Sequence, residues 1–180
     1  ANNEFTGSLP ACLFTMLPRL RDLSVSHNTL TDAVIPPDIK HAQQLVTFRA
    51  HSAGLGGTLP VELKCVRRLK SLGLSGNAMT GELPQDVING LANLDTLDVS
   101  FNTLSGVLPD FSGTGVYNSS LRYLYLNNNK FSGGVATQLL KFSEAQENGI
   151  SSSINIAYNA LTGPLPSAMY NMLVCAATRP

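Results

Sequence analysis

Metal or nucleophilic chemistry in this chain would have to come from three histidines and three cysteines. His27 and His51 are expected close together near one face of the fold, with His41 elsewhere. Two imidazoles without a third ligand or a carboxylate are weak grounds for a metal site. A nucleophile needs a positioned base beside it. No zinc-protease helix motif, phosphate loop, serine elbow or dinucleotide fingerprint accompanies these residues. Neither a catalytic residue nor a cofactor or metal is therefore expected, and the chain is not read as an enzyme. Cys12, Cys65 and Cys175 form neither a disulfide framework nor a zinc motif. Cys12 and Cys65 are expected to lie roughly 10 Å apart by strand spacing, too far for a disulfide, and to be small buried residues. Cys175 is read as a core position, with a cap disulfide to a cysteine outside the chain as the alternative. One modification motif is present, Asn118-Ser119-Ser120, a candidate glycosylation acceptor in a polar Gly/Ser-rich stretch.

Other candidate contact residues depend on the scaffold that carries them, and the scaffold is written as a repeat. Asn3, Asn28, Ala53, Asn77, Asn102, Asn129 and Asn159 occupy one point of it, at steps of 25, 25, 24, 25, 27 and 30 residues. Five residues earlier stand Leu23, Phe48, Leu72, Leu97, Leu124 and Ile154. Two residues after those come Val25, Ala50, Leu74, Val99, Leu126 and Ile156. Apolar residues follow the Asn point at Leu30, Leu55, Met79, Leu104, Phe131 and Leu161. Then come Gly7, Gly57, Gly81, Gly106, Gly133 and Gly163, with Asp32 as the exception, and apolar-Pro pairs such as Leu59-Pro60. The alternating apolar pair predicts a short strand with one buried face. Such a strand survives only when stacked coils pair it with its neighbours over a shared core. The Asn side chain, donor and acceptor at once, is expected to bridge successive turns as a ladder. Ala53 breaks that ladder, and neighbouring backbone or water is expected to compensate. After the Pro, apolar residues at helical spacing, such as Leu63, Val66 and Leu69, predict short helical or 3₁₀ segments on the convex side. Residues 136–147 are expected to form a helix of about three turns, from their helix-forming composition.

The order L-x-x-L-x-L-x-x-N-x-L-x-G-x-L-P resembles the plant-type subclass of leucine-rich repeats over nearly the whole chain. The resemblance implies an α/β solenoid with a parallel concave sheet, short convex helical or 3₁₀ segments, and a second, smaller sheet at the x-G-x-L-P segments. It also implies receptor ectodomains or secreted inhibitor proteins. Leu-Pro closures and irregular repeat lengths are also similar to surface antigens of kinetoplastid parasites, which usually carry Trp after Leu-Pro; this chain has none. One domain is expected over residues 1–180, of about six to seven repeats. The chain starts inside a repeat and shows no cysteine cap, so it is expected to be a fragment of a longer array or to meet another chain at its ends.

Strand alternation sends every second side chain to the concave face. The C-terminal half of that face is expected to carry Phe101, Tyr123, Tyr125 and Tyr158, with Arg49, His51 and Asp98 as polar neighbours; its middle is small, with Ser71, Gly73, Ser75 and Gly76. Exposed aromatics on a rigid sheet are contact anchors. The expected function is an extracellular or cell-surface recognition module for a protein, peptide or glycan. The alternative is a structural or assembly repeat. Ice binding would need a regular Thr array, and only Thr47 and Thr96 are concave. The formal charge of zero argues against nucleic acid as a partner. No apolar run is long enough to span a membrane, so membrane attachment is expected only through segments outside this chain.

Overall fold

The computed structural model describes residues 3–111, 120–134, 139 and 152–164. The Asn118 motif, the helix expected over 136–147 and Cys175 lie outside the described residues, except that Leu139 is buried. Six short strands form one all-parallel sheet, β1 (Asp22–Ser24), β2 (Thr47–Arg49), β3 (Ser71–Gly73), β4 (Thr96–Asp98), β6 (Tyr123–Tyr125) and β8 (Ser153–Asn155), in that spatial order. Their central residues pair in strict register: Leu23 with Phe48, then Leu72, Leu97, Leu124 and Ile154. A second parallel sheet holds β5 (Ser105–Val107), β7 (Lys130–Gly134) and β9 (Ala160–Thr162). On that flank the earlier coils are joined by a few backbone bonds, such as Ala78 N–H to Leu55 C=O at 2.8 Å and Thr80 N–H to Gly57 C=O at 2.7 Å, in place of a full strand.

Each strand of the six-stranded sheet is three residues long, and the second apolar residue of each pair follows it directly. The hydrogen bonding continues past the strand: Ala50 N–H donates to Gly73 C=O and Leu74 N–H to Asp98 C=O, both at 2.7 Å. Phe48, Leu72, Leu97 and Leu124 are fully buried, as are Ala50, Leu74, Val99 and Leu126. Each large side chain among them contributes about 1.5–3 kcal/mol by leaving water. That burial, repeated coil after coil, holds together strands too short to be stable alone.

The convex side carries α1 (Cys12–Met16), 3₁₀ turns at Pro37–His41 and Val61–Cys65, and α2 (Gln85–Gly90). The last three follow Pro36, Pro60 and Pro84, whose extended backbone sets the entry to each. Leu63, Val66 and Leu69 pack inward, as their spacing predicts. Cys12 and Cys65 do not. Both are exposed free thiols, which corrects their reading as buried residues. In the Val61–Cys65 turn Leu63 already takes the inward position and Val66 the next one, so Cys65 falls between them on the outer side. Cys65→Ser should shift stability by no more than about 0.5 kcal/mol, and an aromatic disulfide reagent should label Cys12 and Cys65 in the folded chain. Labelling only after denaturation, read by peptide mass mapping, would show that they are buried after all.

The asparagine ladder closes the turns. Asn102, 8% exposed, accepts Met79 N–H at 3.0 Å and donates to Leu74 C=O of the preceding coil and to its own Val99 C=O. Asn77, Asn129 and Asn159 repeat this arrangement one coil at a time. At Ala53 the missing acceptor is replaced by backbone: Leu30 N–H donates to Ala53 C=O at 3.2 Å. The position four residues after the Asn explains its glycines. Gly57, Gly81, Gly106 and Gly133 all have φ between 67° and 81°, and Asp32, the exception, accepts the same left-handed backbone at φ 51°.

Candidate functional site

Three columns of side chains run across the concave sheet, fixed by its register. Thr96 stands beside Tyr123; Arg49, Gly73, Asp98, Tyr125 and Asn155 form the next column. In the third, His51 is followed by Ser75, Ser100 and Asn127. The backbone continues that column with Ser52 N–H to Ser75 C=O at 2.8 Å and Phe101 N–H to Asn127 C=O at 2.9 Å. Column neighbours are separated by about 4.8 Å, the interstrand distance.

One residue further on, every coil turns through a left-handed residue: His27, Ser52, Gly76, Phe101, Asn128 and Tyr158, with φ from 46° to 68°. Five of the six are not glycine, and each is strained by about 1 kcal/mol or more. The strain has a structural use. It starts the turn that brings the ladder Asn inward and leaves the preceding side chain outside, so Phe101 is 57% and Tyr158 80% exposed. The sequence marks this conformation weakly: Gly76, Asn128 and His27 are residue types enriched in it, while Ser52, Phe101 and Tyr158 are not.

The candidate residues do not gather into one cluster. His51 and Asp98 come together. The His51 ring lies over Gly73, where a Cβ would sit 2.3 Å from its Nε2. Its Nδ1 is 2.6 Å from Ser75 Oγ and 3.8 Å from Asp98 Oδ2. Asp98 in turn accepts from Ser100 Oγ at 2.6 Å and from Ser100 N–H at 3.1 Å. Gly73 and Ser75 are therefore the bed of the His51 imidazole and not open floor. Ser75 and Asp98 both face the same ring nitrogen. A base for a serine nucleophile needs the serine on one nitrogen and the carboxylate on the other, so this trio is a polar brace. Among the described residues no group of three His, Cys, Asp or Glu side chains is placed to hold a metal ion.

Tyr123 and Tyr125 stand two residues apart on β6, both half-buried, with Tyr125 between Asp98 and Asn155. Arg49 is exposed and two coils from Asp98 in the same column. Phe101 and Tyr158 lie at the exit edge of the sheet, two coils apart with Asn128 between them. Arg122, absent from the sequence-derived set, puts its guanidinium 5.5 Å from the Tyr123 ring centre. It also donates from Nε to Asp95 Oδ1. That hydrogen bond, and then the charge of Asp95, raise its pKa above the ordinary arginine value. The cation steadies the Tyr123 ring by a cation–π contact.

The leucine rich repeat family profile matches residues 67–131. A receptor-like kinase of Arabidopsis thaliana is 30% identical over 168 residues, covering 78% of this chain and 18% of the relative. Receptor-like protein 35 of the same plant is 29% identical, covering 94% of this chain and 15% of the relative. The chain thus spans less than a fifth of these relatives. Among solved structures, the ectodomain of the Arabidopsis receptor kinase HAESA, in complex with an IDA peptide hormone, superposes with a TM-score of 0.80. Its identity is 28%, and the match covers 95% of this chain and 27% of that one. The BIR2 ectodomain, also from Arabidopsis thaliana, is 32% identical, with a TM-score of 0.59 over 74% of this chain and 66% of its own.

Proposed function

Because the chain belongs to the plant-type leucine-rich-repeat proteins and works outside the cell or at its surface, we propose that it is a recognition module that takes a peptide or an extended protein segment across its concave sheet. The observation that carries this reading is the pair Tyr123 and Tyr125 on β6, flanked by the braced His51–Asp98 pair and followed at the exit edge by Phe101 and Tyr158. Large aromatics held on a rigid sheet offer contact area with little entropy left to lose. Arg49, His51 and Asp98 supply charge and hydrogen-bonding groups beside them. The HAESA ectodomain, which superposes over nearly the whole chain, holds a peptide hormone, and this supports a peptide as the ligand class.

The reading is tested by selecting binders from a random peptide library on the purified chain and mapping the bound state by hydrogen exchange. Protection over β3, β4 and β6 is the expected result. Binders that protect only the convex turns would overturn it.

A further inference from the structure

The formal charge is zero, but exposed cations gather at the entry edge of the concave sheet. Just before the concave strands one residue per coil forms a hydrogen-bonded column. Val46 N–H donates to Arg21 C=O at 2.7 Å, Lys70 N–H to Val46 C=O at 2.8 Å, and Asp95 N–H to Lys70 C=O and Arg122 N–H to Asp95 C=O at 2.9 Å each. Arg21, Lys70 and Arg122 are exposed, and so are Arg19, Arg67 and Arg68 on the same entry rim. Across the coil, where the chain has left the concave sheet, stand the exposed acids Glu4, Asp32 and Glu82. Acids also stand at the rim, Asp22 beside Arg21 and Asp95 against Arg122, and the exposed Lys130 lies on the other flank, so the rim carries an excess of cations and not cations alone.

Local pairing does not neutralise the rim. Arg122 is bound to Asp95, Lys64 to Asp86 at 3.1 Å, and Arg68 to the Gln44 amide. Arg19, Arg21, Arg67 and Lys70 have no side-chain partner among the described residues. Arg21 and Lys70 are two coils apart, about 10 Å by strand spacing. That is within one screening length at about 0.1 M salt, so their fields add. An open depression continues the rim toward the convex side; Gln43, Gln44, Arg67, Arg68 and Asn89 line it with the Lys64–Asp86 pair, whose charges offset each other.

We propose that this rim docks an acidic polypeptide segment of a partner protein, with Arg21, Arg67 and Lys70 taking its carboxylates and the Gln43, Gln44 and Asn89 amides meeting its backbone. The alternation along the column favours a polypeptide. Cations occur on every second coil, with Val46 and Asp95 between them. A polymer carrying a carboxylate on every unit would set charge against Val46 and force it against Asp95. A peptide offers neutral amides between its acidic side chains. Single exposed ion pairs contribute little each, so affinity here requires several at once and falls steeply with salt.

The test is fluorescence anisotropy of a labelled peptide of alternating glutamate and glycine against the whole chain at low salt, with circular dichroism to check folding. Arg67→Gln/Lys70→Gln should weaken binding about tenfold or more. Lys40→Gln/Lys130→Gln removes the same net charge from exposed sites off the rim and should change it by no more than about twofold. Equal losses in the two variants would reduce the effect to net charge and overturn the proposal. So would a wild type that ignores the glutamate-glycine peptide, or one that binds only polygalacturonate.

Discussion

Gly54→Ala should be among the most destabilising single-methyl additions in the chain, lowering stability by about 2–5 kcal/mol. Two causes add. Gly54 has φ +78°, a left-handed conformation that disfavours alanine by about 1–2 kcal/mol. A Cβ there would also lie 2.3 Å from Leu30 O, and that neighbour is backbone, with no flexible end to swing aside. To make room the two coils must separate, which breaks the 3.2 Å bond from Leu30 N–H to Ala53 C=O. That bond stands in for the missing ladder asparagine, so its loss orphans a backbone donor for about 1–3 kcal/mol more. Gly7→Ala separates the two causes. Gly7 has nearly the same φ, +79°, but nothing lies within 4 Å of its Cβ position, so only the conformational part should appear. Urea titration gives the comparison, and exchange of the Leu30 amide locates it. If the two variants lose the same stability, the close approach at Gly54 bears no load and the account of Ala53 is wrong.

That pair also shows what kind of information the sequence carries. The spacing of Leu72, Leu97 and Leu124 and the steps between asparagines prescribe a stacked core, because the burial period and the chain path are both local in sequence. Ala53 was legible as a defect in the ladder. Its repair was not, because the bond from Leu30 to Ala53 depends on how closely two coils approach, and that distance is set by Gly54 and its packing. The concave face divides in the same way. Alternation places Tyr123, Tyr125 and Asp98 outward, as the register has them. The imidazole of His51 lying across Gly73 is a rotamer choice that reaches into the next coil, and no periodicity encodes it. The Cys65 error has a similar origin. A 3₁₀ turn rotates successive residues more than an α-helix does, so inward and outward positions in a five-residue segment turn on a conformation that composition does not decide.

Replacing Tyr123 and Tyr125 together with Ala should weaken binding of a concave-face peptide by about a hundredfold or more while leaving the solenoid folded. Central aromatic anchors each contribute about 2 kcal/mol or more at contact surfaces, and about 1.4 kcal/mol is a factor of ten. The fold should tolerate the change because the residue between them, Leu124, carries the burial, at 0% exposed, while both tyrosines point to the open face and are only half-buried. The backbone bonds of β6 to β4 and β8 do not involve either ring. The loss should be larger than for Tyr158→Ala, since Tyr158 is 80% exposed at the exit edge, where water competes for every contact. Arg122→Gln offers a finer reading. It removes the cation over the Tyr123 ring without touching the concave surface itself, so a loss of only a few fold is expected if the guanidinium merely steadies the ring. Isothermal titration with a library-selected peptide, together with thermal melts of each variant, measures all three. Unchanged affinity in the double variant would remove the tyrosines from the binding face; a lowered melting temperature in step with lost affinity would instead show that they support β6.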